Sequence, residues 1–331
     1  MKKSLPSLRC LEWSGERLRV LDQRRLPHAV EYLECTDSKG VVDAIACMAV
    51  RGAPAIGIAA AYGLALAARR GEDVDQAARA LLASRPTAVN LRWALDRMRA
   101  VPPSEWSDEA ARIHAEDQAI NEALSGHGAD FVESLHPTGR IELLTHCNTG
   151  ALATGGWGTA LGIVRSLHAR GRDVHVWVDE TRPWLQGARL TTWELLQEQI
   201  PCTLLADAAA PVLMASGRVQ AAVVGCDRVA RNGDFANKTG TYAVALACAA
   251  HQVPFIVGMP WSSLDLGCPN GAAIPIEQRA ASEVLGWGGQ RWAPEVAVFN
   301  PAFDVTPARL VTAFASERGV VRPPFAVDGS S

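Results

Sequence analysis

The sequence has no long run of basic residues, and its formal net charge at pH 7 is −3. Proteins that bind nucleic acid usually present a basic patch to the phosphate backbone, so the charge gives no reason to expect such a partner. The apolar run at residues 53–68 is shorter than the roughly 20 residues of a membrane span and is interrupted by Pro54. We therefore interpret this run as a buried helix.

None of the cysteines belongs to a C-x-x-C pair, so the sequence predicts no zinc or other metal site. The first residues are basic but lack the apolar core of a signal peptide. We therefore expect a cytoplasmic protein whose thiols are free. The cysteines are Cys10, Cys35, Cys47, Cys147, Cys202, Cys226, Cys248 and Cys268.

Two nucleotide-binding motifs are also missing. No G-x-G-x-x-G follows a predicted strand, and the chain contains no G-x-x-x-x-G-K-[ST]. Without the glycine-rich loops that hold phosphates in those proteins, a dinucleotide-binding or P-loop function loses its main support.

The chain has the composition and length of a two-domain globular protein. Hydrophobic residues make up 48% and charged residues 20% of its 331 positions. We predict an N-terminal domain at residues 1–128, mainly helical with a small β element at residues 11–33, and a linker at residues 125–139. Helical patterns occupy residues 43–50, 56–70, 75–83, 91–99 and 108–124.

From residue 129 to the end, short apolar runs alternate with helical stretches. This rhythm predicts an α/β fold, a Rossmann-like, doubly wound parallel sheet. The predicted strands are residues 141–145, 174–178, 202–206, 221–224 and 255–258, and the predicted helices are residues 158–169, 190–199 and 239–251.

Polar residues follow these strands at the edge where open α/β sheets bind ligands. Asp227 follows the strand at 221–224 and is a candidate acid/base. Ten positions later, Asn237 and Lys238 precede a predicted helix whose N-terminus would attract an anion. Cys147 follows the strand at 141–145, and a helix N-terminus there would lower the pKa of its thiol; an ordinary buried cysteine is the alternative.

Further candidates lie outside these strand ends. Arg51 and the backbone at Gly52 suit a phosphate, and Arg85 could be a second anion ligand. Gln186, inside an apolar segment, could bind hydroxyl groups. The alternative for each is an ordinary loop or surface residue.

Taken together, six ordered blocks resemble the methylthioribose-1-phosphate isomerase family, part of a larger family with the regulatory subunits of the translation factor eIF2B and ribose-1,5-bisphosphate isomerase. The resemblance runs from about residue 11 to about residue 320. The blocks are RGAPAIG from Arg51, SRPTAVNL from Ser84, HCNTG from His146, ETRPWLQGARLTTWEL from Glu180, GCDRVARNGDFANKTGTY from Gly225 and NPAFDVTP from Asn300.

The resemblance implies an aldose–ketose isomerisation of 5-methylthioribose 1-phosphate in methionine salvage, by a homodimer that uses no metal or nucleotide. It implies Asp227 as the catalytic acid/base and Cys147 as the second catalytic group. The substrate-binding residues that it implies are Arg51, Gly52, Ala53, Arg85, Gln186, Asn237 and Lys238. Two alternatives stay open: an isomerase of 5-deoxyribose 1-phosphate or ribose 1,5-bisphosphate, and a non-catalytic, eIF2B-like interaction protein.

Overall fold

A computed structural model of the protein describes residues 8–85, 89–322 and 325. These residues form two compact units. The helical unit consists of the described residues up to Glu122 together with Thr149–Gly162, and the sheet unit consists of Ala123–Asn148 and the described residues from Ile163 onward. Residues 86–88 of the SRPTAVNL block lie outside the described residues, and the domain boundary after residue 128 stays a prediction.

The helical unit begins with a three-stranded antiparallel sheet, which confirms the predicted β element. All five predicted helices are present. The elements are β1 (Leu11–Trp13), β2 (Leu18–Leu21), β3 (Tyr32–Cys35), α1 (Ser38–Ala46), α2 (Ala53–Arg70), α3 (Val74–Ser84), α4 (Val89–Arg99) and the first part of α5 (Trp106–Leu135).

Helix α2 is the centre of the helical unit, and every residue from Ala55 to Ala67 is buried. Its small side chains let neighbouring helices approach closely: a Cβ at Gly57 would lie 2.8 Å from the Asn90 carbonyl oxygen. The interpretation of residues 53–68 as a buried helix is confirmed. In the described part of the chain, no helix combines the length and apolar character that crossing a membrane would require.

Within the helical unit, two side chains of α5 form hydrogen bonds to the backbone of Gly155. The Gly155 N–H donates to Asp117 Oδ2 over 2.6 Å, and the Gly155 carbonyl accepts from His114 Nε2 over 2.8 Å. Since a carbonyl oxygen only accepts, His114 Nε2 carries the ring hydrogen. His114 Nδ1 therefore accepts a hydrogen bond from the Tyr62 hydroxyl over 3.0 Å. Burial raises the pKa of Asp117 to about 6 and lowers the pKa of His114.

The sheet unit contains a seven-stranded sheet in the order β16-β15-β10-β7-β4-β5-β6, parallel throughout except for β16. The five strands predicted from the sequence are β4, β5, β6, β7 and β10. The elements are β4 (Ile141–Thr145), α6 (Ala160–Ala169, which starts in the helical unit), β5 (Val174–Asp179), α7 (Thr192–Gln197), β6 (Cys202–Leu205), α8 (Ala210–Ala215), β7 (Ala221–Gly225), β8 (Arg228–Ala230), β9 (Phe235–Lys238), α9 (Thr241–Ala250), β10 (Phe255–Gly258), β11 (Leu264–Asp265), α10 (Ser282–Leu285), β12 (Gly286–Trp287), β13 (Gln290–Arg291), β14 (Phe303–Thr306), β15 (Ala313–Ser316) and β16 (Gly319–Val321).

Two segments have a different secondary structure from the one expected, residues 125–139 and the segment after β7. The linker at residues 125–139 is helical as far as Leu135, because Leu124, Ala129 and Val132 are buried at helical spacing along α5. The polar loop after β7 is a β-hairpin: β8 and β9 pair antiparallel, and β9 also pairs with β14. Val229 and Phe235 are buried within the hairpin, and this burial outweighs the polar character that made the segment resemble a loop.

Two glycines on α5 should respond in opposite ways to alanine. A Cβ at Gly126 meets nothing within 4 Å, so Gly126→Ala should stabilise the protein by about 1 kcal/mol through helix propensity. A Cβ at Gly128 would lie 2.4 Å from Ile163 Cδ1 and 3.2 Å from Ala315 Cβ, so Gly128→Ala should destabilise it by about 1–3 kcal/mol through overpacking. Urea unfolding of both variants measures the difference; equal effects would contradict the packing at Gly128.

Asp117 should make the stability of the protein depend on pH. Because its pKa is raised to about 6 from an ordinary 3.8, the folded state keeps a proton between about pH 4 and 6 that the unfolded state has lost. Stability contributed at this site therefore falls as the pH rises through that window. Asp117→Asn mimics the protonated acid and does not titrate. Its free energy of unfolding should therefore rise relative to that of the wild type between about pH 4 and 6, by up to about 3 kcal/mol.

Urea unfolding at pH 4, 5, 6 and 7 would measure this difference. Asp96→Asn, which removes an exposed carboxyl from α4, controls for the loss of one negative charge. A gap between Asp117→Asn and the wild type that stays constant from pH 4 to 7 would contradict the prediction.

Candidate active site

The two predicted catalytic residues follow adjacent strands of the seven-stranded sheet. Strand β4 pairs in parallel with β7 on one side and with β5 on the other. Cys147 lies two residues beyond the end of β4, and Asp227 lies two residues beyond the end of β7. Because parallel strands end at the same edge, the loops that carry Cys147 and Asp227 are neighbours there.

The backbone of Cys147 is held in a left-handed conformation with φ of 67°. Its N–H donates to Thr181 Oγ1 over 2.8 Å, and its carbonyl accepts from Thr191 Oγ1 over 2.6 Å. The expectation of a helix N-terminus at Cys147 is wrong: in this described segment, the first α-helix after β4 is α6, which begins at Ala160. The two threonine hydroxyls, rather than helix formation, fix this peptide, and the thiol is buried.

A network of buried charged and polar side chains contacts Asn148, the residue that follows Cys147. Asn148 Nδ2 donates to Glu194 Oε1 over 2.7 Å, and Arg165 Nε donates to Glu198 Oε2 over 2.8 Å. The Arg165 guanidinium also lies 3.8 Å from Glu194. Burial raises the pKa of Glu198 although Arg165 opposes that shift. The network connects the residue after Cys147 to α6 and α7.

His146 and Asp179 form a fully buried pair that the sequence analysis did not single out. His146 Nδ1 lies 2.9 Å from Asp179 Oδ2, and His146 Nε2 lies 2.9 Å from the Thr239 carbonyl oxygen. Burial alone would lower the pKa of His146, but the hydrogen bond and charge of Asp179 outweigh it, so the pKa lies above its ordinary value. The only sequence signal for this pair is that both residues lie at the ends of adjacent predicted strands.

Asp207 completes a cluster in which ligand atoms of three residues lie within 4.8 Å of one another. Most of those atoms already make hydrogen bonds. Asp207 accepts from the N–H groups of Thr181 and Arg182, each over 2.7 Å, and both nitrogens of His146 are engaged. Within the described residues, the cluster is a hydrogen-bond network that orients the loop after β5.

Gln186 is buried close to this network. The next residue, Gly187, packs so tightly on β5 that a Cβ there would lie 1.7 Å from the Asp179 carbonyl oxygen. Gln186 Oε1 is buried and has no hydrogen-bond partner among the described residues. A buried acceptor without a partner is costly, so Gln186 is suited to accept a hydrogen bond from a substrate hydroxyl.

Asn237 and Lys238 lie in β9 rather than at a helix N-terminus. The hairpin brings them near Asp227, whose N–H donates to the Ala236 carbonyl over 2.9 Å. Lys238 Nζ donates to the Ala302 carbonyl over 2.6 Å, and Asn237 Nδ2 donates to Thr241 Oγ1 over 3.0 Å. Their binding roles stay predictions.

The backbone N–H groups at the N-terminus of α9, which the sequence analysis expected to attract an anion, are engaged by a side chain. The Asp304 carboxylate accepts from the N–H groups of Gly240 and Tyr242, over 2.7 and 3.2 Å. A carboxylate from β14 therefore already takes the place at the helix end where an anion was expected.

Four of the predicted binding residues belong to the helical unit. Arg51 is buried, and its Nε donates to Gln23 Oε1 over 3.0 Å. Gly52 precedes α2 with φ of 97°, and no side chain that the structure describes caps the helix that begins at Ala53. Its backbone N–H groups therefore suit an anion. Arg85 directly follows α3 and is half-buried.

Comparison with known proteins places these residues in a family. The model of the initiation factor 2 subunit family matches residues 49–323. The chain is 51% identical to the methylthioribose-1-phosphate isomerase of Parasynechococcus marenigrum, covering 97% of this chain and 95% of the relative. It is 52% identical to the methylthioribose-1-phosphate isomerase of Alkalilimnicola ehrlichii, covering 95% and 94%.

Solved structures agree with the sequence comparison. The 5-methylthioribose 1-phosphate isomerase of Pyrococcus horikoshii superposes with a TM-score of 0.89 at 42% identity, covering 96% of this chain and 93% of the other. A chain described as the delta subunit of translation initiation factor eIF-2B from A. fulgidus superposes with a TM-score of 0.84 at 39% identity, covering 96% and 97%. The chain therefore belongs to the initiation factor 2 subunit family and, within it, to the methylthioribose-1-phosphate isomerases.

Proposed function

We propose that this protein is an aldose–ketose isomerase that converts 5-methylthio-D-ribose 1-phosphate to 5-methylthio-D-ribulose 1-phosphate in methionine salvage. The observation that carries the proposal is the identity of 51 and 52% to isomerases of that name over nearly the whole chain. The position of Cys147 and Asp227 beyond adjacent strand ends supports it, because the reaction needs two groups that act together.

The substrate sets the chemical demands. Its phosphate at C1 locks the sugar as a furanose without a free aldehyde, so the ring must open while a hydrogen moves from C2 to C1. Ring opening and closing require an acid/base that exchanges a proton with a sugar oxygen. We assign that role to Asp227. Cys147 serves as the second catalytic group, which stabilises charge that develops during the transfer.

The proposed binding residues match the polar groups of the substrate. Arg51, Arg85 and Lys238 are cations that suit a phosphate. The backbone N–H groups at Gly52 and Ala53 add donors at the start of α2. The remaining two binding residues, Gln186 and Asn237, suit hydroxyl groups.

The C5 substituent distinguishes this substrate from its alternatives. Two residues before Gln186, the ring of Trp184 packs edge-on against Trp287 with centroids 5.6 Å apart. Arg189 lies over both rings, at 5.2 and 4.8 Å, and donates to the Trp184 carbonyl. The apolar faces of the two tryptophan rings suit a methylthio group.

We further propose that the protein is a cytoplasmic homodimer. Leu196, Leu204 and Val212 are 66, 48 and 72% exposed near the β6 edge of the sheet, where a second copy could cover them. All eight cysteines are free thiols, which fits a reducing compartment.

A non-catalytic role is the second candidate. It is favoured by the likeness to the chain described as an eIF-2B delta subunit, at 39% identity. The fold does not discriminate, because one fold supports unrelated functions. The presence of both Cys147 and Asp227 favours catalysis, and turnover decides between the two.

Purified protein, without added metal or nucleotide, should convert 5-methylthioribose 1-phosphate to its ketose in an NMR assay. It should do so with a higher kcat/KM than for 5-deoxyribose 1-phosphate or ribose 1,5-bisphosphate, because the aromatic surface suits the thioether. A preference for either competitor would replace the substrate assignment. No ketose from any of the three would sink the isomerase proposal and leave the interaction protein.

Removing either catalytic group should lower turnover more than affinity. Asp227→Asn loses the acid/base and Cys147→Ser loses the thiol, and each should reduce kcat by roughly 100-fold or more, with KM within a few fold. Steady-state kinetics measure both. Asp173→Asn and Cys47→Ser alter exposed residues of the same kinds and should keep the wild-type rate. A wild-type rate for Asp227→Asn or Cys147→Ser would remove that residue from the mechanism.

A further inference from the structure

We infer that His146 is a positioning residue for the isomerase reaction: braced between Asp179 and Thr239, it fixes the loop of Cys147 relative to the end of the Asn237–Lys238 strand. The inference rests on the proposed function for its kinetic test. It assigns His146 no contact with substrate.

One imidazole ring joins three segments of the sheet unit. His146 follows β4 and precedes Cys147, Asp179 ends β5, and Thr239 follows Lys238 at the end of β9. The two hydrogen bonds of the ring, each 2.9 Å long, span 33 and 93 residues of sequence. A shift of the ring would therefore move the backbone next to Cys147 and the backbone next to Lys238 together.

The hydrogen bonds also determine where the ring hydrogens lie. Nε2 faces a backbone carbonyl, which only accepts, so Nε2 carries a hydrogen. Nδ1 and Asp179 Oδ2 share one further proton, and their hydrogen bond exists whichever atom holds it. The two hydrogen bonds that hold the His146 ring thus do not depend on the position of that proton.

The backbone at Gly240 packs closely against the His146 ring. Gly240 has φ of 109°, and a Cβ there would lie 2.5 Å from His146 Cε1 and 2.7 Å from Nε2. Only glycine fits against this face of the ring. On the Asp179 side, the backbone of Gly187 makes the close approach already described.

Stability alone does not explain the pair. Asp179 is completely buried, and its Oδ1 has no hydrogen-bond partner among the described residues. Burying a carboxyl with one unpartnered oxygen is costly, and apolar residues of similar volume often stabilise a core better than a buried ionic pair does. The geometry points instead to positioning, which an apolar pair could not provide.

The test compares four variants by two readouts. One readout is kcat and KM for 5-methylthioribose 1-phosphate. The other is the rate at which iodoacetamide modifies Cys147 in the native protein, measured by peptide mass spectrometry relative to the exposed Cys47. The variants are His146→Ala, Asp179→Ala, Asp179→Asn and the control His127→Gln, which loses a different histidine–carbonyl bond in the same unit.

His146→Ala and Asp179→Ala should each lower kcat by roughly 100-fold, the effect of misplacing a reacting group by about 1 Å. In both, Cys147 should react about tenfold faster relative to Cys47, since its loop is released. Asp179→Asn should stay within about tenfold of the wild-type kcat, because its amide can donate to Nδ1 of the Nε2–H tautomer. His127→Gln should match the wild type in both readouts.

Several outcomes would overturn the inference. One is a folded His146→Ala variant with the wild-type kcat and Cys147 reactivity; another is Asp179→Asn as impaired as Asp179→Ala, which would make charge rather than position the cause. If the alanine variants do not fold, His146→Asn replaces them, because it can keep the bond to Asp179 but cannot reach Thr239. A wild-type kcat in that variant also overturns the inference. A wild type without turnover would instead refute the proposed function. The reactivity of Cys147 would still test, without substrate, whether His146 holds the Cys147 loop.

Discussion

The parallel pairing of β4 with β5 on one side and β7 on the other is the constraint on which the site depends. Because all three strands run the same way, their carboxyl ends meet at one edge, and the residues that follow them become neighbours. The buried apolar side chains of these strands fix the register. The paired strands therefore fix where each loop begins, and contacts such as those of His146 position the loop residues beyond the strand ends.

Beyond the strand ends, several residues of the site adopt conformations that cost stability but hold their side chains in place. Cys147 and Thr181 both have positive φ, a conformation that costs a residue with a side chain about 1–3 kcal/mol. Part of that cost is offset by hydrogen bonds, in which the Cys147 N–H donates to Thr181, the Thr181 N–H donates to Asp207 and Thr191 donates to the Cys147 carbonyl. The buried pair of His146 and Asp179 also costs stability, because one Asp179 oxygen has no partner in the described part of the chain, yet the pair connects three segments.

The same architecture superposes on a methylthioribose 1-phosphate isomerase and on a chain described as a translation factor subunit. The fold therefore cannot name the activity; the side chains at the strand ends must do so. In this chain they comprise a thiol and a carboxylate beyond adjacent strands, together with a buried glutamine whose oxygen has no partner among the described residues. That combination fits a reaction on a polyhydroxylated substrate better than a surface that only binds a partner protein.

The sequence by itself determined five strands of the parallel sheet, but not β15, together with the buried helix α2 and the placement of Cys147 and Asp227 after strand ends, because these depend on local apolar periodicity. The tertiary structure alone decided the β8–β9 hairpin, the capping of α9 by Asp304 and the pairing of His146 with Asp179. Asp304 lies 64 residues from Gly240, and Thr239 lies 93 residues from His146. No local pattern encodes such contacts, since they exist only once β4, β5, β9 and β14 have come together in the folded chain.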